Sequence, residues 1–201
     1  MHNNKPNAIL TAECRLSYPN LFKKVAPYGR PDAPEDEWTY GCELLLPKSA
    51  TACFEDIKKS CDFVIAEAVA GDWKGAKPNP VPVKLYDGDA PKKDGTPRGD
   101  ECKGHWIIRL KGKRKPQIRS VYAIKGPDLT EVEVYAGCYV RATFNIFAYN
   151  TAGNKGLTFI LGNVLKTRDG EPLGGAATAE SDFAGLEEEP NVEAMDNPFG
   201  M

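Results

Sequence analysis

The most regular feature of the chain is the run Gly137–Tyr149, in which apolar and polar positions alternate with a period of two. Cys138, Val140, Ala142, Phe144, Ile146 and Ala148 fall on one side; Tyr139, Arg141, Thr143, Asn145, Phe147 and Tyr149 fall on the other. Successive strand side chains point to opposite faces, so the run predicts a strand with one core face. The other face combines three aromatic rings with a cation and an amide, which is more than a merely solvated face needs. Packing under a loop is one reading of those rings. A platform for unpaired bases, on which aromatic faces and guanidinium planes act together, is the other.

The same alternation predicts strands at Ala8–Leu16, at Trp38–Leu46 and at Gly156–Lys166, the last apolar on both faces and therefore central. Tyr18–Pro34, rich in Pro, Gly and Lys, reads as a loop. Ser49–Gly71 carries apolar residues at Ala50, Cys53, Phe54, Ile57, Cys61, Val64, Ile65 and Ala68, the spacing of an amphipathic helix, with Ser49 as the expected N-cap and Gly71 as the stop. Asp72–Gly104 is a long irregular stretch in which Val81–Tyr86 alternates weakly. Lys103–Lys125 reads as a hairpin, Gly104–Lys111 and Gln117–Lys125 about a turn at Gly112–Pro116. Six or so short strands with one helix suit a closed or partly open barrel. In that reading the helix falls between the second and third strands.

Charge changes the picture. The chain of 201 residues has 26 basic and 28 acidic residues, but eight of the acids and no Lys or Arg lie from Glu171 onward. The preceding body is therefore +6 and the C-terminal segment −8, a division that points to a polyanionic ligand for the body. The Lys103–Lys125 stretch holds eight Lys and Arg and no acid, with its densest patch at Lys111–Lys115. Crowding of like charge favours a counter-ion such as phosphate. The segment beyond Gly170 is too poor in apolar residues to offset the cost of ordering and is predicted to be disordered from about Gly174. The chain thus divides into a folded domain, 1–173, and an acidic tail, 174–201.

Other chemistries draw less support. The six cysteines form no CxxC pair and read as reduced thiols of a cytosolic protein. Cys102 and His105 have metal-like spacing, but the only other histidine is His2, so no metal or cofactor is expected. Asp87, Asp89, Asp94, Asp100 and Glu101 could serve a Mg²⁺-dependent nuclease, yet they sit in turn sequences such as Asp-Gly-Asp, where Asp and Gly serve the backbone. No run of about 18 apolar residues is present and the first residues lack a signal-peptide core, so neither a membrane span nor export is expected.

The block YAGCYVRATFNIFAYNTAGNKGLTFILGNVLKTRDGEPLGG, with the upstream HWIIRLKGKRKPQI, resembles the bacteriophage single-stranded DNA-binding proteins once grouped as a domain of unknown function. The resemblance covers roughly Ala8–Gly175. It implies an OB-fold, sequence-independent binding of single-stranded DNA, and a role in phage replication and recombination within the host bacterial cytoplasm. The expected protein is mainly β, a five- to six-stranded OB-like barrel with one helix, and not an enzyme. Its expected groove is lined by Arg109, Lys111, Arg119, Lys125 and Arg141, with Lys113, Arg114 and Lys115 at a rim. Tyr139, Phe147 and Tyr149 are the expected stacking rings, with Trp106, Tyr122 and Tyr86 as further candidates, although Trp106 and Tyr122 fall on core-side positions. The C-terminal Asp196, Pro198 and Phe199 resemble the acidic, aromatic endings of single-strand binders and are expected to meet replication or recombination proteins; Gly200 and Met201 after the Phe depart from that ending. A strand-annealing mediator, an RNA-binding protein and a virion structural protein stand as rivals, and oligomeric state stays open.

Overall fold

The computed structural model describes residues 5–174. Eight strands and one α-helix are present among them: β1 (Ala8–Leu10), β2 (Cys14–Val25), β3 (Thr39–Pro47), α1 (Thr51–Ala70), β4 (Leu85–Asp87), β5 (His105–Gly112), β6 (Ile118–Ser120), β7 (Tyr139–Thr151) and β8 (Asn154–Arg168). Pairings β7–β2, β2–β3, β3–β5, β5–β8 and β8–β7 close a ring of five strands. All are antiparallel except β5–β8, which meet in parallel at Lys111 and Ile160. β1, β4 and β6 add to β7, β5 and β8 respectively. This is the expected OB-like, mainly β architecture.

The period-two pattern of β7 decides which side faces in. Val140, Ala142, Phe144 and Ile146 are buried, and Phe144 packs against Phe159 of β8 with ring centroids 5.1 Å apart. Leu44, Leu46, Ile108, Leu110, Leu157 and Val164 complete the interior from the other strands. The helix buries Ile57, Cys61, Val64 and Ala68 against the ring and lies on β1 and β7. It sits between the second and third ring strands, as the sequence placed it. Just beyond it the buried Trp73 donates its indole N–H to the Tyr149 carbonyl at 3.1 Å, fastening the helix end to β7.

Four expectations need correction. Ala50, not Ser49, is the N-cap position, and it makes no side-chain cap. Tyr18–Val25 is not loop but the second half of β2. A left-handed Tyr18, at φ 46°, and a register shift past Ser17 let the strand accommodate Pro19 after it has parted from β7. Conversely, Ala8–Leu16 is broken at Thr11, whose buried hydroxyl accepts the Ala142 N–H at 3.0 Å in place of a regular ladder bond. Finally, β5 and β6 do not form a hairpin. β6 crosses to pair in parallel with β8, Ile118 opposite Val164, and ends at Ser120. Val121–Lys125 is therefore a turn, which leaves Tyr122 almost fully exposed rather than on a core face.

All six cysteines are free. Burial pushes the thiols of Cys14 and Cys61 up to about 12, and that of Cys42 higher still, so these three stay protonated and inert. No helix among the described residues is long and apolar enough to cross a membrane. The segment carrying Asp196, Pro198 and Phe199, and the disorder predicted from about Gly174, lie outside the described residues.

Candidate nucleic-acid interface

The outward face of β5 gathers the densest charge. Arg109 and Lys111 point away from the buried Ile108 and Leu110. The extended stretch ahead of β4 runs alongside, its Lys84 carbonyl accepting the Arg109 N–H at 3.0 Å and its Pro82 carbonyl accepting the Leu157 N–H at 2.8 Å. This stretch bridges β5 and β8 and brings Lys84 into the cluster. Burial, together with the charges of Lys111, Arg109 and Lys93, holds the Lys84 ammonium below its ordinary pKa. Arg109 is answered by Glu43, 2.5 Å away across the β3–β5 ladder. Lys84 and Lys111 make no salt bridge among the described residues. Tyr86 lies beside the cluster, with the guanidinium carbons of Arg98 and Arg109 at 5.5 and 5.4 Å from its ring centre.

The ladder carries this face across to the aromatic strand. Lys111 pairs with Ile160, and Ile160 pairs with Asn145 of β7. Two strand spacings put Lys111 about 10 Å from β7. One step further along the same face is Phe147, 47% exposed opposite Thr158. Tyr149 follows, half-buried over Gly156, where a β-carbon would stand 2.6 Å from the tyrosine hydroxyl. Gly156 therefore admits the ring. The turn after β5 sets Lys113, Arg114 and Lys115 at the border of the face, exposed, with the Lys113 ammonium on the Asp36 carbonyl.

A model of the family described as Enterobacter phage Enc34, ssDNA-binding protein, matches residues 7–195. The chain belongs to this family. It is 30% identical over 186 residues to putative protein p50 of Acyrthosiphon pisum secondary endosymbiont phage 1, across 87% of this chain and 93% of that one. The solved single-stranded DNA-binding protein from bacteriophage Enc34 in complex with ssDNA aligns with a TM-score of 0.69 at 27% identity, over 85% of this chain and 91% of that one. The single-stranded DNA-binding protein gp2.5 encoded by bacteriophage T7 aligns at 0.54 and 17% identity, over 93% and 98% of the two chains, a likeness of fold.

In this Enc34-family chain the expected site residues separate into groups. Arg109, Lys111, Tyr86, Phe147 and Tyr149 share one broad outer face. Arg141 lies six residues back along β7 from Phe147, about 20 Å away, and faces Arg119 across a groove. Lys125 is exposed on the turn beside that groove. Tyr139 stands at the far end of β7, with the Arg168 guanidinium carbon 3.3 Å from its ring centre and Arg168 paired in turn with Glu13. Trp106 faces the helix: Phe54 stacks on it at 4.3 Å and the Lys48 ammonium lies 4.7 Å from its centroid.

Sequence reasoning missed Lys84, which is unremarkable until β4 is placed, and Glu43, whose partner emerges only from the β3–β5 register. Lys155, at the tip of the β7–β8 hairpin, donates to the carbonyls of Trp73 and Ala76 at 3.0 and 3.2 Å. The loop acids are engaged locally: Asp87 and Asp89 both hold Lys48 at 2.6 Å, Asp94 accepts from Thr96, and Asp100 pairs with Lys103. Among the described residues no three of His, Cys, Asp and Glu gather as metal ligands would.

Proposed function

We propose that this protein binds single-stranded DNA without regard to sequence, on the outward face of β5, β8 and β7. The observation that carries the reading is the crowding of Lys84, Arg109 and Lys111 against a single carboxylate, Glu43, on the same outer face as the exposed ring of Phe147. Such crowding is unfavourable in the free protein and is relieved by a phosphate, which would also restore the Lys84 ammonium towards its ordinary pKa. Phe147 offers its face to a base, Tyr149 and Tyr86 flank the path, and Lys113, Arg114 and Lys115 extend it at the border. Rings and point charges do not read base edges, so sequence is ignored. Trp106 and Tyr139, whose rings are taken up by protein groups, are not part of this platform, and neither is Tyr122 on its separate turn. Membership of the family, and the likeness to the Enc34 protein solved in complex with ssDNA, support the same ligand class. On this reading the protein acts in phage replication and recombination in the host bacterial cytoplasm, and the ending with Asp196, Pro198 and Phe199 engages proteins of those processes.

The test is fluorescence anisotropy of a labelled oligo-dT, challenged with unlabelled single-stranded DNA, duplex DNA and RNA. The expected result is competition by unrelated single strands of DNA, weak competition by duplex and RNA, and affinity that falls with salt. Equal competition by duplex, or no binding, refutes the reading. Stronger competition by RNA than by DNA replaces it with an RNA-binding role.

A further inference from the structure

We propose that the groove between Leu10 and Ile124 takes an unpaired nucleobase, with the flanking phosphates on Arg119 and Arg141, so that a strand bound at Lys111 continues there. The inference rests on the single-strand reading above. The groove lies over the outer surfaces of β7 and β8, walled by β1 on one side and by β6 and its following turn on the other. It encloses about 360 Å³. Its walls are two aliphatic side chains left uncovered among the described residues: Leu10 is 39% exposed and Ile124 61%. Its floor includes Thr143 and Leu165.

The two cations are held in place. Arg141 donates from Nε to the Thr11 carbonyl at 2.9 Å, which fixes the guanidinium while leaving its terminal nitrogens for a ligand. Arg119 is steadied by Asp128 at 3.2 Å. No acid lines the groove. An apolar slot bordered by two anchored guanidinium groups fits a ligand that is flat and apolar in its middle and anionic at its ends, and a nucleotide within a single strand has that form.

An acidic peptide bearing an aromatic residue shares part of this chemistry. Continuity favours the strand. Ile160, the partner of Lys111, is five residues from Leu165 along β8, about 17 Å, and both belong to the outer face. Gly162 keeps the surface between them low; a β-carbon there would meet the Thr143 hydroxyl at 2.4 Å. The cationic face and the groove are two ends of one track.

Full-length protein and labelled oligo-dT of graded lengths, about 4 to 16 nucleotides, test this. Ile124→Glu changes an exposed turn residue and sets a carboxylate at the groove; Arg119→Gln removes one cation; unchanged thermal midpoints verify folding. Both variants should bind the shortest oligonucleotides as the wild type does and lose about tenfold on the longest, as the loss of a stacked base predicts. Lys111→Ala should weaken every length. Variants that match the wild type on long oligonucleotides, or that lose equally at all lengths, overturn the groove. Tighter binding by Ile124→Glu also overturns it, because the displaced occupant would then be an acidic segment. A wild type that binds no length overturns the single-strand reading as well.

Discussion

Replacing Phe147 with Ala separates stacking from electrostatics. The ring projects from the outer face of β7, 47% exposed, while its backbone stays in the β7–β8 ladder opposite Thr158. A fully buried Phe costs about 3–5 kcal/mol when cut to Ala. With half the ring already in solvent, the loss of stability should be about 1–2 kcal/mol, a fall of a few degrees in Tm. A base stacked on an aromatic side chain contributes about 1–3 kcal/mol, so oligo-dT affinity should fall roughly 5- to 150-fold. The ring neutralises no phosphate, so the slope of log affinity against log salt should not change. Phe147→Trp should preserve affinity, since it keeps a π-face. Anisotropy titrations of labelled oligo-dT at several salt concentrations measure both quantities. Two of the three intrinsic tryptophans suit the purpose less well, because Trp73 is fully buried and Trp106 is stacked on Phe54. Unchanged affinity for Phe147→Ala, or a loss accompanied by a shallower slope, refutes the stacking assignment. Tyr149→Ala is a poorer probe, since that ring also covers Gly156 beside the Pro82 carbonyl.

Three further outcomes are expected. Removing residues 175–201 takes away seven acids and no Lys or Arg, so single-strand binding at low salt should tighten; unchanged or weaker binding shows that this segment does not compete for the cationic face. Glu43→Gln frees Arg109 from its carboxylate and should both tighten binding and steepen its salt dependence, at a cost in stability of no more than about 1 kcal/mol for a pair whose arginine is half exposed; weaker binding would mean that Glu43 chiefly positions Arg109. Hydrogen bonds from Thr167 and Arg168 hold Glu13 below its ordinary value near 4.5. A depressed carboxylate pKa adds stability that is present above the ordinary value and is lost as pH falls through the folded one. The wild-type Tm should therefore drop more steeply below about pH 4.5 than that of Glu13→Gln, and parallel profiles would show that the pair contributes nothing.

Local periodicity made the core legible and left the crossings hidden. β7 and α1 could be read because each buries one face over many residues, so alternation or a 3.6-residue stripe repeats often enough to stand out. The supposed hairpin at Lys103–Lys125 failed for the opposite reason. Lys-Gly-Lys-Arg-Lys-Pro has the composition of a tight turn, but β6 is three residues long and its partner is β8, more than forty residues later. Nothing near Ile118 encodes that parallel pairing. The second half of β2 was masked by Pro19 and its lysines, which an arm no longer paired with β7 tolerates. In the site, the cation-rich segments could be seen, but not their grouping. Arg109 and Arg119 are ten residues apart in sequence yet belong to opposite ends of the outer face, whereas Lys84 and Phe147 reach the same face only through the Pro82–Lys84 bridge between β5 and β8.

The salt dependence of oligo-dT affinity, compared between wild type and Lys111→Ala, tests directly whether the outward face of β5 holds the DNA. Lys111 is exposed, outward-facing and without an acidic partner among the described residues. Single-strand binding loses about 0.7 in log–log slope for each phosphate contact removed. Lys111→Ala should bind more weakly, with a slope shallower by about that amount and an unchanged Tm. A variant with the wild-type slope and affinity would place the DNA elsewhere on the molecule.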